Sequence, residues 1–412
     1  MFSFRNDTFQ NDLLELSNLP HSGRPKPRIL IGVTSDQTCL VLRGRLRALR
    51  HAGFEVIILS SPGENLTRLA LEEGVTACPV AMRRHISPIR DLISLISVCK
   101  ILRRFRPIIT DFSTPKAGLL GSLAAWGMRV PRRIYTLRGL KLEGLQGTKQ
   151  RLMLWTERIA ARCAHEVVCN SESLRSAATA LSIAPANKLR LFGDGSSNGV
   201  DTVRFSPGTT DVREGWAIPD DDLVLGFVGR LTEDKGIPEL LVAFEKILQA
   251  EPRARLLLVG WFDRAEDALD LRWRVHIARH PRICHTGFKP ETAPYYRAMD
   301  VLVLPTHREG FPNVALEAAA CGLPVITTEC TGARDALVHE VTGLLIPIGS
   351  PDAIARAALE LLKDQGKRLQ FGLAGRAWVL ERYTRERVLG MAVAFYRELL
   401  EGLQGCEEQS HP

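Results

Sequence analysis

Nowhere in the 412 residues does an apolar run reach the ~18 positions a transmembrane helix requires. Nine cysteines are scattered from Cys39 to Cys406 without one C-x-x-C pair. An odd, dispersed set points to reduced, mostly buried thiols in a cytosol rather than to a disulfide framework. The opening "MFSFRNDTFQNDLLELSNLPHSGRPKPR" contains acids and no apolar core, which excludes a secretory signal and leaves a loose extension over residues 1–27. No G-x-G-x-x-G follows "RILIGV", so a nicotinamide-dinucleotide enzyme is disfavoured. There is no zinc-finger spacing, aromatic RNP motif or dense Lys/Arg tract, and nucleic acid is not an expected partner. No sequence repeat is evident.

What is present is an ordinary globular composition, 45% hydrophobic and 24% charged, with uneven charge. Residues 1–200 carry 29 Lys/Arg against 15 Asp/Glu, and residues 201–412 carry 25 against 31. A basic half suits a membrane surface or phosphorylated ligands, or is simply a solvated surface.

Short β-branched runs alternate with helical stretches: "RILIGVTS", then "CLVLRGRLRALRHAG", then "FEVIILSS"; later "RPIITDFST", "PKAGLLGSLAAWG" and "RRIYTL". This alternation predicts βαβ units on parallel sheets. The Gly/Ser/Asp-rich "GDGSSNGVDTVRFSPGTTD" reads as a hinge, after which the alternation restarts with "DLVLGFVG". The expected organisation is two Rossmann-like, doubly wound α/β domains, 28–205 and 206–385, facing across a cleft. The amphipathic segment 386–412 either caps the second domain or packs back on the first.

Ligands of such sheets bind beyond the carboxyl ends of strands. In "GFVGRLTEDKGIPEL", Gly229-Arg230 ends a strand and Lys235-Gly236 opens a helix, a site suited to a diphosphate. Arg230 could instead pair with Glu233 or Asp234. In "HREGFPNVALEAAACGLPVITT", Glu309, Gly310, Phe311 and Pro312 lead from a buried strand into a helix beginning near Asn313 and Val314. Its first turn offers backbone N–H groups to phosphate. Glu317 lies roughly 7 Å further along the axis, at the height of a ribose. A solvated role for Glu317 fits poorly beside Ala315, Ala318 and Ala319. "TTECTGARDAL", with Gly332 and Asp335, is a weaker candidate. The acidic run Asp220–Asp222 reads as a solvated turn rather than a metal site.

These residues resemble glycosyltransferase family 4, enzymes of the two-domain GT-B fold, from Arg28 to about Leu403. The Arg230/Lys235 pair and two glutamates separated by seven residues match that family's donor signature. "TPKAGLLG", "YTLRGL" and "GSSNGVD" further resemble a subgroup that builds bacterial surface polysaccharides, lipopolysaccharide and protein-linked glycans. The resemblance implies a retaining transferase that moves a sugar, often N-acetylated such as GalNAc, from a UDP-sugar to a polyprenyl-diphosphate-linked saccharide. It implies neither metal nor cofactor. Glu309, Arg230 and Lys235 would be catalytic. Glu317, Gly310, Phe311, Pro312, Asn313, Val314 and Gly229 would hold the donor. Relatives often carry histidines before "TPKAG"; here Asp111 and Ser113 stand there. Asp111, Lys116 and Arg138, read as loop residues of the first domain, are candidates for the acceptor side of the cleft. Competing readings are a nucleotide-sugar epimerase on the same fold and a catalytically silent nucleotide-sugar-binding protein.

The segment "RRHISPIRDLISLISVCKILRRFRP" carries Leu92, Leu95, Ile96, Cys99 and Leu102 at helical spacing among arginines. The apolar stripe is expected to face the sheet. The cations are expected to hold the protein peripherally on the anionic inner face of the cell membrane.

Overall fold

The computed structural model describes residues 26–83, 87–263 and 268–408; all but the last two residues of the expected N-terminal extension lie outside them. The chain separates into two compact units, one of Met1–Thr136, Ile159–Val167 and Leu389–Pro412, the other of Leu137–Arg158 and Val168–Val388. The strands β1 (Arg28–Gly32), β2 (Glu55–Ser60), β3 (Thr76–Pro79), β4 (Ile109–Ser113), β5 (Arg132–Leu137), β6 (Glu166–Cys169) and β7 (Leu189–Leu191) form a sheet in the order β3-β2-β1-β4-β5-β6-β7.

In the first unit β1 runs parallel to both β2 and β4, with Leu30 opposite Ile57 on one side and Thr110 on the other. Both faces of these strands are covered, so "RILIG" is apolar at consecutive positions rather than alternating. The helix Pro115–Gly127 packs hard on the sheet. A Cβ at Gly121 would stand 2.2 Å from the Phe112 ring, which explains the small residues of "PKAGLLGSLAAWG".

Four expectations are corrected in detail. The stretch 39–53 is not one helix: Gly44, at φ +84°, breaks it, and the buried carboxylate of Glu73 accepts from the N–H groups of Gly44 and Arg47 to start the helix Arg45–His51. Asp111 is not a loop residue but lies inside β4, and Lys116 is in the first turn of the Pro115–Gly127 helix. Asp222 is not solvated; it is 5% exposed and binds Arg255 and, at 3.0 Å, Arg282. Finally, the helix Pro88–Phe105 buries Ser94, Val98 and Leu102, with Leu95 and Cys99 partly covered, but leaves Leu92 and Ile96 outside. A single acid-free row of spacing could not distinguish the two faces, because both are apolar.

The second unit contains β8 (Leu223–Val228), β9 (Ala254–Val259), β10 (Ile283–His285), β11 (Val301–Leu304), β12 (Val325–Thr328) and β13 (Gly343–Ile346), ordered β10-β9-β8-β11-β12-β13. Neighbouring strands pair in parallel throughout this order. Helices Ile237–Ala250 and Pro351–Lys363 cover one face through Leu240, Phe244 and Leu361, and the helix Asn313–Ala320 covers the other through Ala315, Leu316 and Ala319. The chain steps outward from β8 through β9 to β10, then returns to β11 on the other side of β8. That reversal opens a crevice at the carboxyl ends of β8 and β11, the place where doubly wound sheets bind ligands.

The eight described cysteines are free, seven of them buried and Cys99 half-buried. Among the described residues no helix is long and apolar enough to cross a membrane.

Candidate active site

The β8 and β11 loops meet at this reversal. Val228 ends β8; Gly229 then turns at φ +148° and donates its N–H to Val259. A short turn, Glu233–Lys235, brings the chain to Gly236 at φ +71°, where a Cβ would sit 2.0 Å from the Pro305 carbonyl oxygen. Only glycine serves both the left-handed conformation and that approach. Lys235 is thereby placed over the β11 loop, where its ammonium donates to Glu309 Oε1. Both side chains are largely enclosed, 15% and 19% exposed.

Arg230 pairs with Asp263 at 2.8 Å and approaches Asp234 at 4.0 Å. Asp234 also accepts from Thr232 at 2.5 Å and from Arg308 at 3.0 Å. Burial opposes ionisation of Asp234, but the Thr232 hydroxyl and the Lys235, Arg308 and Arg230 cations outweigh it, so its pKa lies below the ordinary value. The ionised carboxylate holds Arg308 and approaches Arg230, while Lys235 turns to Glu309. His307, in the same loop, sits 3.0 Å from Glu239, whose carboxylate raises the imidazole pKa.

From Glu309 the chain passes Gly310, where a Cβ would lie 2.2 Å from the Arg138 carbonyl oxygen, so this loop and the one after β5 touch backbone to backbone. Arg138 thus belongs with the Glu309 loop, and its guanidinium donates to Ser197 at 3.1 Å. Phe311 is buried with its ring 5.6 Å from that of Tyr383. Pro312 caps the helix Asn313–Ala320, and Asn313 Oδ1 accepts from Ser196 at 3.1 Å. Val314 packs partly buried against the core. The helix therefore starts on a fixed backbone; the Ala315 N–H donates to the Pro312 carbonyl at 3.0 Å, while those of Asn313 and Val314 come too early in the helix to have partners within it.

Glu317, one turn further on, accepts from the Tyr296 hydroxyl at 2.9 Å. Burial pushes its carboxyl up to about 7, against the lowering effects of Tyr296, Arg204 and Arg385. Tyr296 itself is fully buried, and burial, with Glu317 beside it, holds its phenol protonated as the donor.

Asp111 and Lys116 belong to the first unit. Asp111 is 3% exposed, and its two carboxylate oxygens accept from Thr136 at 2.7 Å and Tyr396 at 2.6 Å. Lys116 pairs with Asp91 at 2.7 Å.

Sequence reasoning did not find Asp263, Arg308, Tyr296 or Ser173. Ser173 donates from both its N–H (2.9 Å) and hydroxyl (2.5 Å) to Asp335, and accepts from the Gly332 N–H at 2.7 Å, tying down the third loop. A paired Gly332 and Asp335 was visible in sequence; their partner, 162 positions away, was not.

Residues 222–364 match the profile of the group 1 glycosyl transferases, and residues 41–195 match that of the glycosyl transferase 4-like domain. The chain is 34% identical over 374 residues to a capsular polysaccharide biosynthesis glycosyltransferase, CapM, of Staphylococcus aureus, covering 90% of this chain and 97% of that protein.

The chain belongs to the group 1 glycosyltransferases.

This glycosyltransferase is also 28% identical to a UDP-Gal:alpha-D-GlcNAc-diphosphoundecaprenol alpha-1,3-galactosyltransferase of Escherichia coli, over 77% of this chain and 82% of that one. Its fold is similar to that of a sucrose-phosphate synthase from Thermosynechococcus elongatus, with a TM-score of 0.76 at 22% identity, over 92% of this chain and all of that one. Anabaena HepE in complex with UDP and glucose gives 0.73 at 18% identity, over 90% and 99% of the two chains. The architecture is GT-B: two parallel-sheet, Rossmann-like domains, as the sequence led us to expect. The enzyme is a sugar transferase.

Proposed function

We propose that this glycosyltransferase is a retaining enzyme that moves a sugar from a UDP-sugar to a polyprenyl-diphosphate-linked saccharide during the synthesis of a surface polysaccharide. An N-acetylhexosamine such as GalNAc is the sugar we favour. The carrying observation is the Lys235–Glu309 pair, with Arg230 beside it, at the β8/β11 reversal and the start of the Asn313–Ala320 helix. A donor diphosphate seated at that helix start meets first-turn N–H groups, Arg230 and Lys235, each favouring negative charge. Charge grows on the departing UDP in the transition state, so cations already fixed by Asp234, Asp263 and Glu309 stabilise it without reorganising.

Glu317, about 6 Å further along the helix axis, accepts hydrogen bonds from the ribose. Glu309 faces the sugar beyond the β-phosphate. Cations and a helix terminus do the work a metal would otherwise do, so activity in excess EDTA is expected to be full. The names of the relatives support the acceptor class: one is a capsular polysaccharide enzyme, the other acts on a diphosphoundecaprenol-linked sugar. An epimerase or a silent binding protein draws no support from them. An enzyme with a lipid-linked acceptor works at the inner face of the cell membrane.

The test is a panel of UDP-sugars offered with prenyl-diphosphate-linked saccharides and followed by mass spectrometry. UDP release with a new glycosidic bond, its anomeric configuration kept, is the expected result. Conversion of the UDP-sugar without acceptor, or binding without turnover, would replace the proposal by the epimerase or the silent binder. A strict Mn²⁺ requirement would reject the metal-free part.

A further inference from the structure

The outward face of the Pro88–Phe105 helix is divided along its length. Ile89, Leu92, Ile93 and Ile96 are 78%, 57%, 59% and 48% exposed. Their i, i+3, i+4, i+7 spacing makes one apolar row two turns long. The same row continues into Lys100, Arg103 and Arg104, all exposed. The helix contains one acid, Asp91, and that carboxylate is occupied by the Lys116 ammonium at 2.7 Å and the Ser87 N–H at 3.1 Å. The outward row therefore carries aliphatic side chains at one end, cations at the other and no carboxylate.

Packing within the unit does not require this pattern. Ser94, Val98 and Leu102 already supply the buried face. Four large aliphatic side chains left in water cost solvation free energy, and a contiguous patch of this kind marks a surface made for contact. A second copy of this chain is a poor occupant, since face-to-face pairing sets like charges, or cations and aliphatics, against each other. An anionic bilayer complements both ends: phosphate headgroups take Lys100, Arg103 and Arg104, and the acyl boundary takes the isoleucines and the leucine.

We propose that the Pro88–Phe105 helix inserts Ile89, Leu92, Ile93 and Ile96 into the acyl boundary of an anionic membrane while Lys100, Arg103 and Arg104 hold its headgroups. This differs from docking by charge alone, in which the apolar end would stay in water. It rests on the reading of the enzyme as one that meets a lipid-linked acceptor.

The experiment is flotation of the full chain with phosphatidylglycerol/phosphatidylcholine vesicles holding neither donor nor acceptor. At low salt the protein floats. At about 0.5 M salt, where charge attraction is screened within a few ångströms, a reduced but measurable fraction remains bound. Leu92→Ser/Ile96→Ser lowers that salt-resistant fraction by about tenfold or more, since two aliphatic side chains no longer leave water. Lys100→Ser/Arg103→Ser/Arg104→Ser lowers the low-salt binding and spares the resistant part. All five positions are exposed, and an unchanged melting temperature confirms folded variants. Complete release by salt, or flotation indifferent to Leu92→Ser/Ile96→Ser, overturns the insertion. So does a dimer in solution that this double variant dissolves, which would identify a second copy as the occupant. Transfer to a lipid-linked acceptor, assayed separately in detergent, distinguishes the failures. Flotation as expected without transfer leaves the insertion standing and defeats the acceptor reading; transfer without flotation does the reverse.

Discussion

The ammonium of Lys235 and the carboxylate of Glu309 form an ion pair although 74 positions separate them. Each lies in a loop that follows a central strand of the same sheet, so the pair joins the two loops that flank the β8/β11 reversal. Removing one partner leaves a largely enclosed charge uncompensated. Lys235→Ala should lower kcat by about a hundredfold or more if the ammonium stabilises departing UDP. The double variant Lys235→Ala/Glu309→Ala should be less damaging than the two single effects multiplied together. Steady-state kinetics on all four proteins checks this; a loss confined to KM would make Lys235 a binding group only.

Glu309 and Glu317 are expected to separate in their effects on UDP. Glu317→Ala should weaken UDP itself, as the ribose loses its acceptor, while Glu309→Ala should leave UDP affinity within about twofold and damage transfer. Calorimetry with UDP decides; equal losses in both variants would reject the division of roles.

The Glu317 carboxyl, pushed up to about 7 by burial, also makes a stability prediction. In the unfolded chain it titrates near the ordinary value of about 4.3, so between there and 7 the folded state binds more protons. Its contribution is fully present below the unfolded value and is lost as pH rises through the folded one. Glu317→Gln should remove this dependence, so the variant should gain on the parent by roughly 1–3 kcal/mol between pH about 4.5 and 7.5. Tyr296→Phe, which removes the donor to the ionised form, should move the midpoint higher. Melting temperatures across that range measure both.

Gly310→Ala introduces a methyl group 2.2 Å from the Arg138 carbonyl oxygen, where backbone and not a movable side chain must yield. The expected loss is roughly 2–4 kcal/mol, read from urea unfolding, with a matching fall in transfer as Glu309 shifts. Unchanged stability would mean that the two loops are looser than their contact implies.

Much of this was legible in the sequence because the chemistry is local. Strands such as "RILIG" and "LVLGFV" are apolar on both faces, which only a covered parallel sheet explains, and their alternation with helices foretold both domains. Arg230 and Lys235, and Glu309 and Glu317, stand within a few residues of one another in loops whose positions at strand ends could be inferred. Their partners could not be inferred. Asp263 reaches Arg230 across 33 positions and Tyr296 reaches Glu317 across 21, and nothing in their own surroundings marks them. Asp222 misled in the opposite direction: its place in a turn before a strand suggested solvent, whereas Arg255 within β9 and Arg282 just before β10 offset its burial. The Pro88–Phe105 helix misled for a different reason, since one amphipathic pattern cannot say which of two apolar faces meets the sheet.

The hydrogen bond from Tyr396 to Asp111 spans 285 positions. Tyr396 is made after Asp111, and at about 5–20 residues per second the interval is roughly 15–60 s of translation. For all that time the nascent first unit lacks the helix that satisfies its buried carboxylate. The second unit waits for late partners of its own, since the Val200 N–H donates to Tyr383 and its carbonyl accepts from Arg385. A ribosome stalled between Asp111 and Tyr396 therefore displays an incomplete first unit to chaperones and proteases.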